Sequence, residues 1–188
     1  MRFTIVFVHA LAGLIASLLV ASTQLQADQS SADLPDLFEQ LKVAENERAA
    51  TLIEGQIWQL WLDAPDEQAA NLMSRITSAM SASDLSVALA LCNELVESHP
   101  QFAEAWNKRA TVHYMMGDNA SSVADIRETV ALEPRHFGAI SGLGLIFLRE
   151  RNMQAALEAF EQVLEISPAS GSAQASVERL RLELGREI

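Results

Sequence analysis

Apolar residues recur along most of this chain at the three-to-four-residue spacing of a helix face, and they do so in paired segments. Over residues 137–150 they fall at Ile140, Leu143, Phe147 and Leu148, and over residues 153–166 at Ala156, Leu157, Phe160, Val163 and Leu164. Between the stripes lies Asn152, whose side chain can accept a hydrogen bond from an orphan amide of the following helix. Asp84 and Asp118 hold the same place in two earlier pairs, and Asp84, Asp118 and Asn152 stand 34 residues apart. So do Pro100, Pro134 and Pro168, where the proline ring would clash with a continuing helix and so ends it. The pattern predicts three tandem helix hairpins. No stretch alternates for long enough to build a sheet.

The flanks carry helical stripes of their own. Leu34, Leu37, Phe38 and Leu41 form one, and Ile53, Ile57, Leu60 and Trp61 a second that ends at Asp63, Ala64, Pro65 and Asp66. A repeated unit cannot bury its apolar face alone, so residues 34–65 are expected to form a degenerate hairpin capping the open end of the array. At the other end Ala173, Val177, Leu180 and Leu184 share one face, opposite Glu178, Arg179, Arg181 and Glu183. Residues 171–188 are therefore expected to form a polar-backed capping helix. The whole array would have about nine helices, by the hairpin count that such repeats require.

The third unit, with Ile140, Leu143-Gly144, Phe147, Ala156, Phe160 and Pro168, resembles the tetratricopeptide repeat (TPR) family, whose period is the one found here. The second reads Trp106, Arg109-Ala110, His113, Ser122, Ile126 and Pro134, and the first Leu72, Arg75-Ile76, Ala79, Ala88, Cys92 and Pro100. The resemblance divides the chain into units at 69–102, 103–136 and 137–170. It implies an all-α, right-handed α-solenoid of tandem hairpins acting as a protein-binding scaffold. Gly144, Ala110 and Ala156 are small where paired helices meet, whereas Ser122 and Ile76 are larger than the family usually allows, so looser packing is expected in those two units.

In this family the concave face is lined by the first helix of each hairpin. Residues in register there form three rows: Met73, Asn107 and Ser141; Thr77, Thr111 and Leu145; Met80, Tyr114 and Leu148. The resemblance implies that a peptide or helix of a partner protein is held in this groove. Met73, Met80, Leu145 and Leu148 would supply adaptable apolar surface, and Asn107, Thr111 and Tyr114 would hold its backbone. The alternative is a self-associating, homo-oligomeric structural scaffold whose groove is filled by its own terminal helix. Family members that grip a chaperone's C-terminal carboxylate use Lys, Asn and Arg at fixed places on the first helices. Here those places hold Met73 and Thr77, then Lys108 where an Asn belongs, then Gly138 and Gly142, so that clamp is absent.

Chemistry-bearing residues are sparse. His99, His113 and His136 have no pair at metal-site or catalytic-dyad spacing, His113 is expected to be a satisfied core histidine, and Cys92 reads as a small hydrophobe. Trp58 and Trp61, three apart, are expected to be packing anchors of the cap. No phosphate loop, carboxylate pair or ligand cluster points to a catalytic residue, a metal or a cofactor, and the chain reads as a non-enzyme.

The charge changes the choice of partner. With 13 Lys and Arg against 25 Asp and Glu, a net charge of -12 and no basic run, the chain is ill-suited to nucleic acid or to an anionic membrane surface. Arg2, the apolar run of residues 3–21 and the site Leu25-Gln26-Ala27 read as a secretory signal peptide over residues 1–27, followed by a disordered linker at 28–33. The expected location is periplasmic or secreted, with a role in envelope assembly or maintenance. The rival reading is an inner-membrane anchor formed by an uncleaved leader, since the run approaches the roughly 20 residues that span a bilayer. A single cysteine allows no internal disulfide.

Overall fold

The computed structural model describes residues 31–185, and among these there are nine α-helices and no strand. They are α1 (Leu34–Lys42), α2 (Glu47–Leu62), α3 (Glu67–Ser81), α4 (Leu85–Ser98), α5 (Ala103–Met116), α6 (Asn119–Leu132), α7 (Phe137–Arg149), α8 (Met153–Ile166) and α9 (Gly171–Leu184). The expected leader and all but the last three residues of the expected linker lie outside the described residues. Of that linker, Ser31 already accepts a bond from the Leu34 amide and leads into α1. No helix among the described residues is long and apolar enough to cross a membrane.

The hairpins α3/α4, α5/α6 and α7/α8 start and stop for the reasons their sequence gives. Asp84, Asp118 and Asn152 accept from the amides of Val87, Ser121 and Ala155 at 3.1–3.2 Å, capping each second helix. The residue before each cap takes a left-handed backbone: Ser83 at φ 59°, Gly117 at φ 82° and Arg151 at φ 60°. Only the middle unit places glycine there, where no Cβ opposes the turn. Inside the hairpins Gly144 lies against Phe160, whose ring carbons would be 2.8–3.0 Å from a Cβ. Ile76, expected to loosen its unit, is instead fully buried. Ser122 is buried too, and its hydroxyl donates to the Ala110 carbonyl at 2.8 Å, so the larger side chain is accommodated by a hydrogen bond.

α9 begins as a further first helix. Trp106 in α5 donates its indole N–H to the Pro100 carbonyl at 2.9 Å, and Gln174, two periods on, donates to the Pro168 carbonyl at 2.8 Å. With Val177 and Leu180 it covers Ala156, Leu157 and Phe160 of α8. Its outer face is exposed and charged, with one large exposed apolar residue, Leu182.

The N-terminal hairpin α1/α2 does not extend the stack beyond α3. Its apolar residues Leu34, Phe38, Leu41, Ile57 and Trp61 are buried instead against Phe137 and Ile140 of α7, Val163 of α8 and Ala173 of α9. Ser167 donates to Glu54 at 2.8 Å, and Arg135 lies 3.8 Å above the Phe38 ring. The expectation of an end cap is thus corrected, and the composition of α3 gives the reason. Its outward positions Asn71, Ser74, Arg75 and Ser78 are polar and exposed, so unit 1 needs no cover, whereas the aromatic residues of α2 find an apolar seat on units 2 and 3.

Candidate functional groove

Small side chains on neighbouring helices leave room between them, and α5 and α7 carry Ala110, Gly138, Ala139 and Gly142 where they face the inner side of the array. A Cβ on Gly142 would meet Ile126 only at an ordinary 3.7 Å, so glycine there widens the space. The space continues into the seam of α5 and α6, down to Ser122 and Ile126. The result is a groove of about 380 Å³, walled by Tyr114, Met115 and Leu145 and fringed by Asn107, Thr111 and Ser141. No charged side chain lines it. Leu145 remains 45% exposed and Met115 46%, so apolar surface stands open to solvent.

Five of the nine residues expected in the groove meet there: Asn107, Thr111, Tyr114, Ser141 and Leu145. The other four do not. Met73 is 7% exposed and belongs to the core of α3, α4 and α5, and Met80 packs half-buried against the same core. Thr77 is exposed but turns its hydroxyl to the Met73 carbonyl at 2.9 Å, and Leu148 packs toward α8 and α9. α3 has a first-helix neighbour on one side only, so its long flexible side chains fold onto the core and do not wall a groove. The register argument missed the small residues Ala110, Gly138, Ala139 and Gly142 and Met115 of the first helices, and also Ser122 and Ile126, which enter because the space reaches down to the second helix.

Gly138, one of the residues lining the groove, is packed against by the N-terminal hairpin. Gly138 lies beneath Trp58 of α2, and a Cβ there would fall 2.5 Å from the indole. Beside it Trp61, 1% exposed, stacks on His136 at 4.1 Å between ring centroids, while Trp58 stands edge-on to His136 and Phe137. The core histidine of this protein is thus His136, fully buried, and not His113. His136 Nδ1 accepts from the Ala139 amide at 3.1 Å, capping α7, which leaves Nε2 to donate to Glu104 at 3.2 Å. Asn107 also donates to Glu104, at 2.8 Å, and Lys108 sits 3.1 Å from its second oxygen as an ion pair without hydrogen-bond geometry. Burial alone would raise the Glu104 carboxyl, but the His136 bond, the Lys108 charge and the Asn107 bond outweigh it and hold the group below its ordinary value. The sequence showed the two tryptophans but not their partner, because His136 reads as a loop residue beside Pro134.

Unit 2 carries a second polar network, between α5 and α6. Arg109 stands where the repeat pattern places a large apolar residue, and buried Asp125 of α6 takes it in a two-point bond at 2.7 and 2.9 Å. That bond is the main reason the guanidinium is held above its ordinary value. His113 is half-buried, 3.6 Å from Asp118 and 3.8 Å from Asp125, so the expected satisfied core position is corrected to an ion-pair range with no hydrogen bond. Cys92 is fully buried, and burial pushes its thiol up to about 12. Among the described residues no group of His, Cys, Asp or Glu could hold a metal ion.

Known proteins share this architecture. A tetratricopeptide repeat family model matches residues 107–171. A TPR repeat-containing protein of Rhizobium etli is 36% identical over 151 residues, covering 80% of this chain and 74% of that protein. An SGT1 homolog of Bos taurus is 27% identical over 115 residues, 61% of this chain but only 34% of that protein. Two solved structures superpose with a TM-score of 0.59: the first TPR of Spaghetti (RPAP3) bound to HSP90 peptide SRMEEVD, at 18% identity over 63% of this chain and 94% of that one, and the Sgt2 TPR domain from Aspergillus fumigatus, at 20% identity over 65% and 82%. At such identities the likeness is one of fold.

Proposed function

Since the chain belongs to the tetratricopeptide repeat family, we propose that it is a non-enzymatic interaction module, exported to the periplasm, that binds a segment of a partner protein in the groove between α5, α6 and α7. The observation that carries this reading is the open, uncharged groove itself, in which Leu145 and Met115 remain exposed although the chain has two terminal elements that could have covered them. The same fold in RPAP3 holds a peptide, which supports a peptide or helix as the occupant. Export rests on the leader-like pattern of residues 1–27, and a role in envelope assembly or maintenance is what the resemblance to exported bacterial TPR proteins suggests.

The alternative, a groove filled by the chain's own terminal helix, has a partial counterpart. Trp58 packs against Gly138, one of the groove's lining residues, yet none of the described residues fills the groove. Leu145→Asp separates the two readings. For an adaptor it removes the partner and leaves the thermal midpoint within about 2 °C of wild type, as a surface substitution should. For a self-filled groove it places charge in a buried site and lowers stability or dissociates an oligomer. Sequencing the N-terminus of the protein recovered from the periplasmic fraction tests export, and recovery only from the cytoplasm overturns it.

A further inference from the structure

Charge is distributed unevenly between the two layers of the array. The second helices α4 and α8 carry Glu94, Glu97, Glu158, Glu161 and Glu165 and no base. The first helices α3 and α5 carry acid only in their opening turn, at Glu67 and Glu104, and α7 carries none. In a chain of net charge -12, the first-helix face therefore carries little negative charge. A cation stands at the lip of the groove. Arg149, the last residue of α7, lies with its guanidinium 3.6 Å from the ring centroid of Tyr114, and Tyr114 is also a wall of the groove.

That guanidinium is fixed but not used up. Its Nη1 donates to the Tyr114 carbonyl at 2.8 Å and to Asn119 Oδ1 at 3.2 Å. The neighbouring carboxylate, Glu150, is held by the other end of the Asn119 amide at 3.1 Å and makes no ion pair with Arg149. A guanidinium has five N–H donors in a rigid fork, so the edge bearing Nε and Nη2 remains for an anion. Stacking on Tyr114 sets its orientation in advance, which lowers the cost of ordering it when a ligand arrives.

We propose that the groove selects an internal segment of a partner protein in which a large apolar side chain is followed or preceded, within a few residues, by an Asp or Glu. The apolar side chain seats against Leu145 and Ile126, and the side-chain carboxylate pairs with the free edge of Arg149. This inference rests on the reading of the groove as a protein-binding site, and it adds the chemistry of the occupant. The acceptor is a side chain and not a chain terminus, because the positions at which family members clamp a terminal carboxylate hold Met73, Thr77, Lys108, Gly138 and Gly142 here.

The test is selection from a displayed random peptide library, with the full chain as bait, followed by fluorescence anisotropy on the winning peptides made with amidated and with free C-termini. Wild type is expected to enrich peptides that hold a large apolar residue near an acid, and amidation is expected to leave their affinity unchanged. Arg149→Gln, at an exposed site, is expected to keep the apolar preference, lose the acidic one and bind the same peptides about three- to tenfold more weakly. Enrichment of apolar peptides with no acidic preference, or with one that Arg149→Gln retains, overturns this inference and leaves the groove a binding site. Binding that needs a free C-terminus overturns it too. No enrichment by wild type over Leu145→Asp overturns both the inference and the function it rests on. Unchanged thermal midpoints in both variants show that neither result comes from unfolding.

Discussion

Ser83 and Arg151 sit at φ 59° and 60°, a region where a side chain costs roughly 1–2 kcal/mol, while the equivalent Gly117 avoids that cost. Part of the gain from glycine is lost to the greater freedom of the unfolded chain, so Ser83→Gly and Arg151→Gly are each expected to stabilise by about 0.5–1 kcal/mol in urea unfolding. Glu104 gives a pH dependence. Its carboxyl is held below its unfolded value, so its contribution is present above the ordinary carboxylate range and is lost as pH falls through the folded value. Stability measured from neutral to acid pH is expected to fall at the acid end, and less steeply in Glu104→Gln. Cys92, with its thiol pushed up to about 12 and fully buried, is expected to react with a thiol reagent only through opening of unit 1, at a rate that rises with urea.

At the scale of elements, the seat of α2 depends on a glycine. Gly138→Ala would push a Cβ into Trp58 at 2.5 Å, and because the indole is wedged against His136 and Phe137 the expected cost is about 1–3 kcal/mol, with a shift in tryptophan emission as α2 moves. The helices themselves were legible in the chain, since the caps at Asp84, Asp118 and Asn152 and the stops at the three prolines are local signals. The docking of α1 and α2 was not. Periodicity shows that Ile57 and Trp61 share a buried face but not which surface buries them, and the choice was made by complementary shape at Gly138 and by a histidine that sequence position alone assigns to a loop. The groove was legible in the same partial way. Register along the first helices named Asn107, Thr111, Tyr114, Ser141 and Leu145, but Met73 and Leu148 turn into cores because flexible apolar side chains take whatever cover lies near.

Across the whole molecule, the array divides its work between two layers. The second helices α4 and α8 turn charge to solvent, and the first helices α5 and α7 leave a neutral opening at the middle of the chain. That division accounts for an acidic protein that nonetheless offers an open apolar surface. It also predicts that binding and folding respond to different substitutions. The direct measurement is a photo-crosslinking residue placed at position 145 in the groove, compared with one at position 182 on the exposed face of α9, in cells under native expression. The account predicts crosslinks to a discrete segment of another protein from position 145 and none in common from position 182. Crosslinks from position 145 that land only within this chain or a second copy of it would contradict the account.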